Sequence, residues 1–157
     1  SPAAPERLVV CCDEPCFAGA SLWAPRAGPA LWLRTPGARP SGAGVREAIR
    51  FAVRDLGVES LWLVAHSRCC RLLPDPFDAV ACDPGRPGRP LLERMKARLA
   101  RSQAQLEAAR AHVRAVVQAW RTDPATAHLA VAGFVHVVES GLVMRYAPGR
   151  DEFEALL

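Results

Sequence analysis

Three residues in this chain have the types and spacing to hold a metal ion. His66 and Cys69 stand three apart, directly after Leu61-Trp62-Leu63-Val64-Ala65, an apolar run of strand length. Cys11 closes a second such run, which starts at Arg7 and ends in Cys11-Cys12-Asp13. Open α/β sheets bind ligands at the carboxyl ends of their strands, so two thiols and an imidazole delivered there can converge as a Cys₂His set. Zinc accepts these donors, and three protein ligands with a fourth position left open is its catalytic rather than its structural pattern.

The elements that must position these residues follow from the apolar periodicity. A strand is predicted from Arg7 to Cys12 and another from Ala30 to Arg34, closed by Thr35-Pro36-Gly37. Between Ser41 and Leu56, apolar residues at Val45, Ile49, Ala52, Val53 and Leu56 have the spacing of a helix with one buried stripe. Gly57 stands where a left-handed C-terminal cap is wanted. The strand Leu61 to Ala65 follows, apolar on both faces as expected for a parallel βαβ unit. Leu91 to Trp120 reads as a long helix or two helices, with Leu92, Met95, Leu99, Leu106, Val113, Val117 and Trp120 as its buried stripe. A coiled-coil seam is the competing reading, but the heptad is irregular. The Leu129 to Val138 run, Glu139-Ser140-Gly141 and Leu142 to Tyr146 make a strand, a tight turn and a returning antiparallel edge strand. The fold class is therefore α/β: a mainly parallel central sheet, flanking helices and a C-terminal antiparallel edge hairpin. Residues 1–6 are expected to be a flexible lead and 7–157 a single domain.

Composition removes several function classes. A chain of 157 residues can bury a core without disulfide or structural-metal support. The net charge of +4 rests mostly on arginines in helical segments beside glutamate or apolar residues. No aromatics interleave with them, so a solvated face is expected and nucleic acid is not. No apolar run reaches the length of a membrane span, and the N-terminus lacks the pattern of a signal peptide. A cytoplasmic location is expected. There, the adjacent pairs Cys11-Cys12 and Cys69-Cys70 suit metal or reactive thiols better than disulfides. Cys12, Cys16, Cys70 and Cys82 read most simply as small hydrophobes, and His112, His128 and His136 as surface or packed histidines.

These residues in this order resemble the β-class carbonic anhydrases. The likeness comprises the strand ending in Cys-x-Asp (Cys11-Cys12-Asp13), the strand ending in Arg34-Thr35-Pro36-Gly37, the helix around Ala48 to Val58, and His66-x-x-Cys69. Trp120-Arg121-Thr122-Asp123-Pro124, the Gly133 strand and the Ser140-Gly141 turn continue it. The resemblance implies zinc held by Cys11, His66 and Cys69, and reversible hydration of carbon dioxide to bicarbonate by a zinc-bound hydroxide oriented by Asp13. It also implies a homodimer or higher assembly. Pro15 stands where relatives carry an arginine that holds the carboxylate off the metal, which makes Asp13 a candidate fourth ligand and weak hydration the expectation. Two other readings remain open: a catalytically silent zinc-binding assembly or regulatory protein, and a hydrolase of another small electrophile such as a carbon sulfide.

Overall fold

The structure, a computed structural model, describes residues 4–14, 26–69, 71–72 and 90–156. Six strands form one sheet: β1 (Arg7–Cys12), β2 (Ala30–Thr35), β3 (Ser60–His66), β4 (Ala130–Val137), β5 (Leu142–Ala147) and β6 (Glu152–Leu156). Their order is β2-β1-β3-β4-β5-β6. The first four are mutually parallel, and β5 and β6 run antiparallel to their neighbours. Among the described residues the long helices are α1 (Ala43–Arg54) and α2 (Leu91–Thr122). The mainly parallel sheet with a C-terminal antiparallel hairpin is the architecture read from the periodicity.

The chain leaves β2, forms α1 and enters β3, but β2 and β3 are not neighbours: β1 lies between them. This insertion makes β1 and β3 central, and both are apolar on each face because each face is covered. Leu8, Val10, Leu61, Leu63 and Ala65 form one core cluster with Ile49 and Ala52 of α1 and with Ala109, Val113, Val117 and Trp120 of α2. Val9, Cys11, Val64, Ala132, Phe134 and Val143 form a second cluster on the other face. Gly133 is what brings α2 down onto β4. A Cβ there would lie 2.5 Å from Val113 Cγ1 and 2.6 Å from Val117 Cγ2, closer than packed carbons approach. Gly57 takes the expected left-handed conformation, with φ 68°.

Two expectations are corrected. Leu91 to Thr122 is one continuous helix of 32 residues. Its buried stripe begins only at Gln105 and runs through Ala109, Val113, Val117 and Trp120. Leu92, Met95 and Leu99 are 61%, 53% and 64% exposed, because this end of α2 has no strand beneath it among the described residues. Nor is β5 the edge of the sheet, since β6 pairs along it from Val143↔Leu156 to Ala147↔Glu152. The Glu6 N–H bonds Pro29 O, and its carbonyl accepts from the N–H groups of Glu59 and Ser60.

Candidate metal centre

The site lies where β1, β2 and β3 end. Cys12 is the last residue of β1 and His66 the last of β3, and Cys69 lies three residues beyond His66. After β2 the chain makes a 3-10 turn at Pro36–Ala38, in which Gly37 takes φ 66°. Glycine suits position 37, because the left-handed backbone is strained for side chains and a Cβ would press on Arg71 Cβ at 3.1 Å, although Ala38 beside it also takes a positive φ, 54°. The turn directs the Gly37 N–H at the Cys12 sulfur.

Four donor atoms converge there, from Cys12, Glu14, His66 and Cys69, all within 4.8 Å of one another. The two sulfurs are 3.8 Å apart, almost twice the length of a disulfide bond. Glu14 bridges the other two donors. Its Oε1 is 3.7 Å from Cys69 Sγ, and its Oε2 is 3.6 Å from His66 Nε2. Ligands at about 2.0–2.3 Å from a tetrahedral zinc ion stand roughly 3.3–3.8 Å from each other. The Cys12–Cys69, Cys69–Glu14 and His66–Glu14 contacts, at 3.8, 3.7 and 3.6 Å, fall in that range, and two thiols, an imidazole and a carboxylate are donors that zinc takes.

Electrostatics favour the same reading. The Cys12 thiol is held far below the ordinary thiol range, first by a hydrogen bond from Cys69 and then by donors from His66 and the backbone N–H groups of Glu14 and Gly37, against the opposing effect of burial. The same contact and burial push Cys69 upward. Thiolate is the form in which cysteine ligates metal. His66 and Cys69 are 0% and 1% exposed, so bulk water does not reach their donor atoms.

Of the residues singled out from the sequence, His66 and Cys69 are in this cluster, and Cys11 and Asp13 are not. Adjacent residues of a strand point to opposite faces. Cys11 accordingly packs with Val9, Ala27 and Val64, where burial raises its pKa and a hydrogen bond from Arg34 opposes the rise. Its neighbour Cys12 is the thiol that meets Cys69. Asp13 is exposed, with Oδ1 3.9 Å from Cys12 Sγ, and the carboxylate inside the cluster is Glu14. Counted from Cys12, Glu14 takes the place given to Asp13, and Cys16 takes that of the arginine. Pro15, Cys16, Phe17, Leu22, Trp23, Cys70 and Cys82 lie outside the described residues. His112, read as packed or exposed, bonds Ala38 O at 3.0 Å through Nε2 beside the site, and burial lowers its pKa.

No protein-family model and no curated protein matches the chain. Solved structures do. The β-carbonic anhydrase CcaA superposes with a TM-score of 0.67 at 18% identity, covering 98% of this chain and 84% of that one. Tetrameric β-carbonic anhydrases of the filamentous ascomycete Sordaria macrospora give 0.63 at 20% identity, covering 90% and 80%. The apo form of a carbon disulfide hydrolase gives 0.61 at 14% identity, covering 99% and 87%. Among the described residues no helix is long and apolar enough to cross a membrane. The six-stranded sheet, the helices packed on it and the strand-end cluster are thus assembled on the fold of the β-carbonic anhydrases.

Proposed function

We propose that this chain is a zinc-dependent lyase interconverting carbon dioxide and bicarbonate, with the metal held by Cys12, His66 and Cys69 and with Glu14 closing the fourth position at rest. The observation that supports it is the convergence of four donor atoms of types that zinc accepts, all within 4.8 Å of one another. Bound there, zinc would supply Lewis acidity and lower the pKa of water toward neutrality. The protein's own contribution centres on Glu14. In the described conformation its carboxylate reaches both Cys69 and His66, where it would take the place of water on a bound metal. Rotated away about its own side-chain bonds, it leaves three donors and an open place. Its Oε atoms are then at hand to orient a water and accept its proton. Hydration is therefore expected to be slow, limited by how often Glu14 withdraws.

A second reading is a catalytically silent zinc-binding assembly or regulatory protein, and the bridging position of Glu14 favours it. Stopped-flow hydration of carbon dioxide separates the two. Zinc-loaded protein should accelerate hydration above the metal-free protein, and Cys12→Ser should abolish the acceleration. If neither the wild type nor Glu14→Ala accelerates hydration, the catalytic reading is lost and the silent one stands. Carbon disulfide in the same assay tests the activity named for the third structural neighbour. The exposed apolar end of α2, with Leu91 70% and Leu99 64% accessible, supports a homodimer or higher assembly.

A further inference from the structure

Between the two ligands of the His66-x-x-Cys69 turn stand Ser67 and Arg68, and both reach the same carboxylate. The pairing of β3 with β4 ends at His66↔His136. One more backbone bond, Ser67 N–H to His136 O at 3.0 Å, carries it a residue further. Beyond that point the serine side chain takes over from the ladder. Val138 N–H donates to Ser67 Oγ at 3.0 Å, and Ser67 Oγ–H donates to Glu139 Oε2 at 2.5 Å. The second distance is that of a charge-assisted O–H···O⁻ bond, roughly twice as strong as a neutral one. The other oxygen, Oε1, lies 3.8 Å from Arg68 Nε. Ser67 is 1% exposed, so its hydroxyl has these partners in place of water.

Glu139 belongs to the turn between β4 and β5, an element with no donor in the metal cluster. From there it grips both residues that separate His66 from Cys69. A turn left to itself would allow the Cys69 sulfur to drift relative to the imidazole. We infer that Glu139, acting through Ser67 and Arg68, is a positioning residue for the metal centre, setting the angle at which His66 and Cys69 present their donor atoms. The inference rests on the ligand set proposed above. Outer partners that orient metal ligands are commonly worth about 10–100-fold in metal affinity, and that is the size of effect expected.

The test uses the full chain carrying Ser67→Ala, Glu139→Ala or Glu139→Gln. Three quantities are read: zinc affinity by competition with a chromophoric chelator, the absorption spectrum of the cobalt-substituted protein, and the melting temperature of the metal-free protein. Ser67→Ala and Glu139→Ala should lose about 10–100-fold in zinc affinity and alter the cobalt bands. Metal-free melting should change little in the Glu139 variants, whereas Ser67→Ala, which strands Val138 N–H, should also melt lower. Glu139→Gln should fall between them and the wild type, because its amide oxygen still accepts from Ser67 while the charge toward Arg68 is gone. Should Ser67→Ala fail to fold, Glu139→Gln carries the test from an exposed position. Wild-type affinity and an unaltered cobalt spectrum in the variants, with Cys12→Ser binding no metal, would overturn the positioning role and leave the ligand set standing. Affinity lost only in proportion to metal-free melting, with an unchanged cobalt spectrum, would also overturn it in favour of a purely structural role. A wild type that takes up no stoichiometric zinc removes the ligand set and this inference together.

Discussion

The two faces of the sheet treat neighbouring cysteines in opposite ways. On the face covered by α1 and α2, Cys12 lies in a cluster with Ala38, Cys69 and Leu72 and is ringed by donors. On the other face Cys11 packs beside Val9 and Val64, with Arg34 at its sulfur. That face is organised around aromatic and cationic stacking: Arg7 sits 4.1 Å over the Trp62 ring, and Trp62 meets Phe134 at 4.8 Å. Residue type is identical and both thiols are 0% exposed. The difference is the company each side chain keeps, which is decided by the pleat and by what covers the sheet.

The sharpest way to break that contrast is to exchange each thiol for a hydroxyl. Cys12→Ser should reduce bound zinc from one equivalent to well under half. Cys11→Ser should keep it, losing only a core substitution's roughly 0.5–3 kcal/mol in urea unfolding. Equal zinc loss in the two variants would show that the faces are not chemically distinct.

Next in size is Gly133→Ala, which tests how rigidly the helical face is packed. Its Cβ would enter at 2.5–2.6 Å from two valine methyl groups, so overpacking should destabilise the fold by roughly 1–3 kcal/mol. An unchanged unfolding midpoint would mean that α2 can lift from β4 at little cost.

The same helix offers a subtler comparison between its packed and its bare end. Leu92→Glu with Leu99→Glu should leave zinc content and melting of the protomer nearly unaltered while halving the mass seen by light scattering. A wild type that is already monomeric at micromolar concentration would remove the assembly from the proposal.

The smallest effect is expected at Asp151, which ties the β5–β6 turn to α2 by accepting from Tyr146 Oη at 2.8 Å and Arg114 Nε at 2.6 Å. These bonds, that from Tyr146 foremost, depress its pKa. A depressed carboxylate stabilises the fold above its unfolded pKa of about 3.9, and the contribution disappears as pH falls through the lower folded value. Asp151→Asn tolerates the φ of 55° because asparagine is also at home there. It should therefore melt slightly below the wild type at pH 7 and converge with it in acid. A gap that persists below pH 3 would point to geometry rather than charge.

Much of this was legible in the chain itself. The apolar runs placed β1 and β3, and His66-x-x-Cys69 marked the strand end that bears the site. The choice between Cys11 and Cys12 was not legible, because β1 is apolar on both faces and alternation gives no polar side to read. The carboxylate two residues after Cys12 was the available signal, since Glu14 follows Cys12 at the spacing by which Asp13 follows Cys11. The missed strand β6, Glu-Phe-Glu-Ala-Leu, is too short and charged to announce itself. It is fixed by distant partners, with Phe153 against Tyr146 at 5.2 Å and Arg114 reaching the preceding turn. Likewise, the pattern of α2 foretold one apolar stripe along its length, but whether a strand lies under each turn is a tertiary fact.

Chain order adds a consequence of the topology. All four donors occur by residue 69, whereas Val113, Gly133 and Glu139 come later. Chains are synthesised from the N-terminus, at about 5–20 residues per second. During translation the thiols of Cys12 and Cys69 therefore emerge seconds before the helix, strand and turn that cover and steady them. In that interval the two thiols lack the cover that α2 supplies once it packs over Gly133.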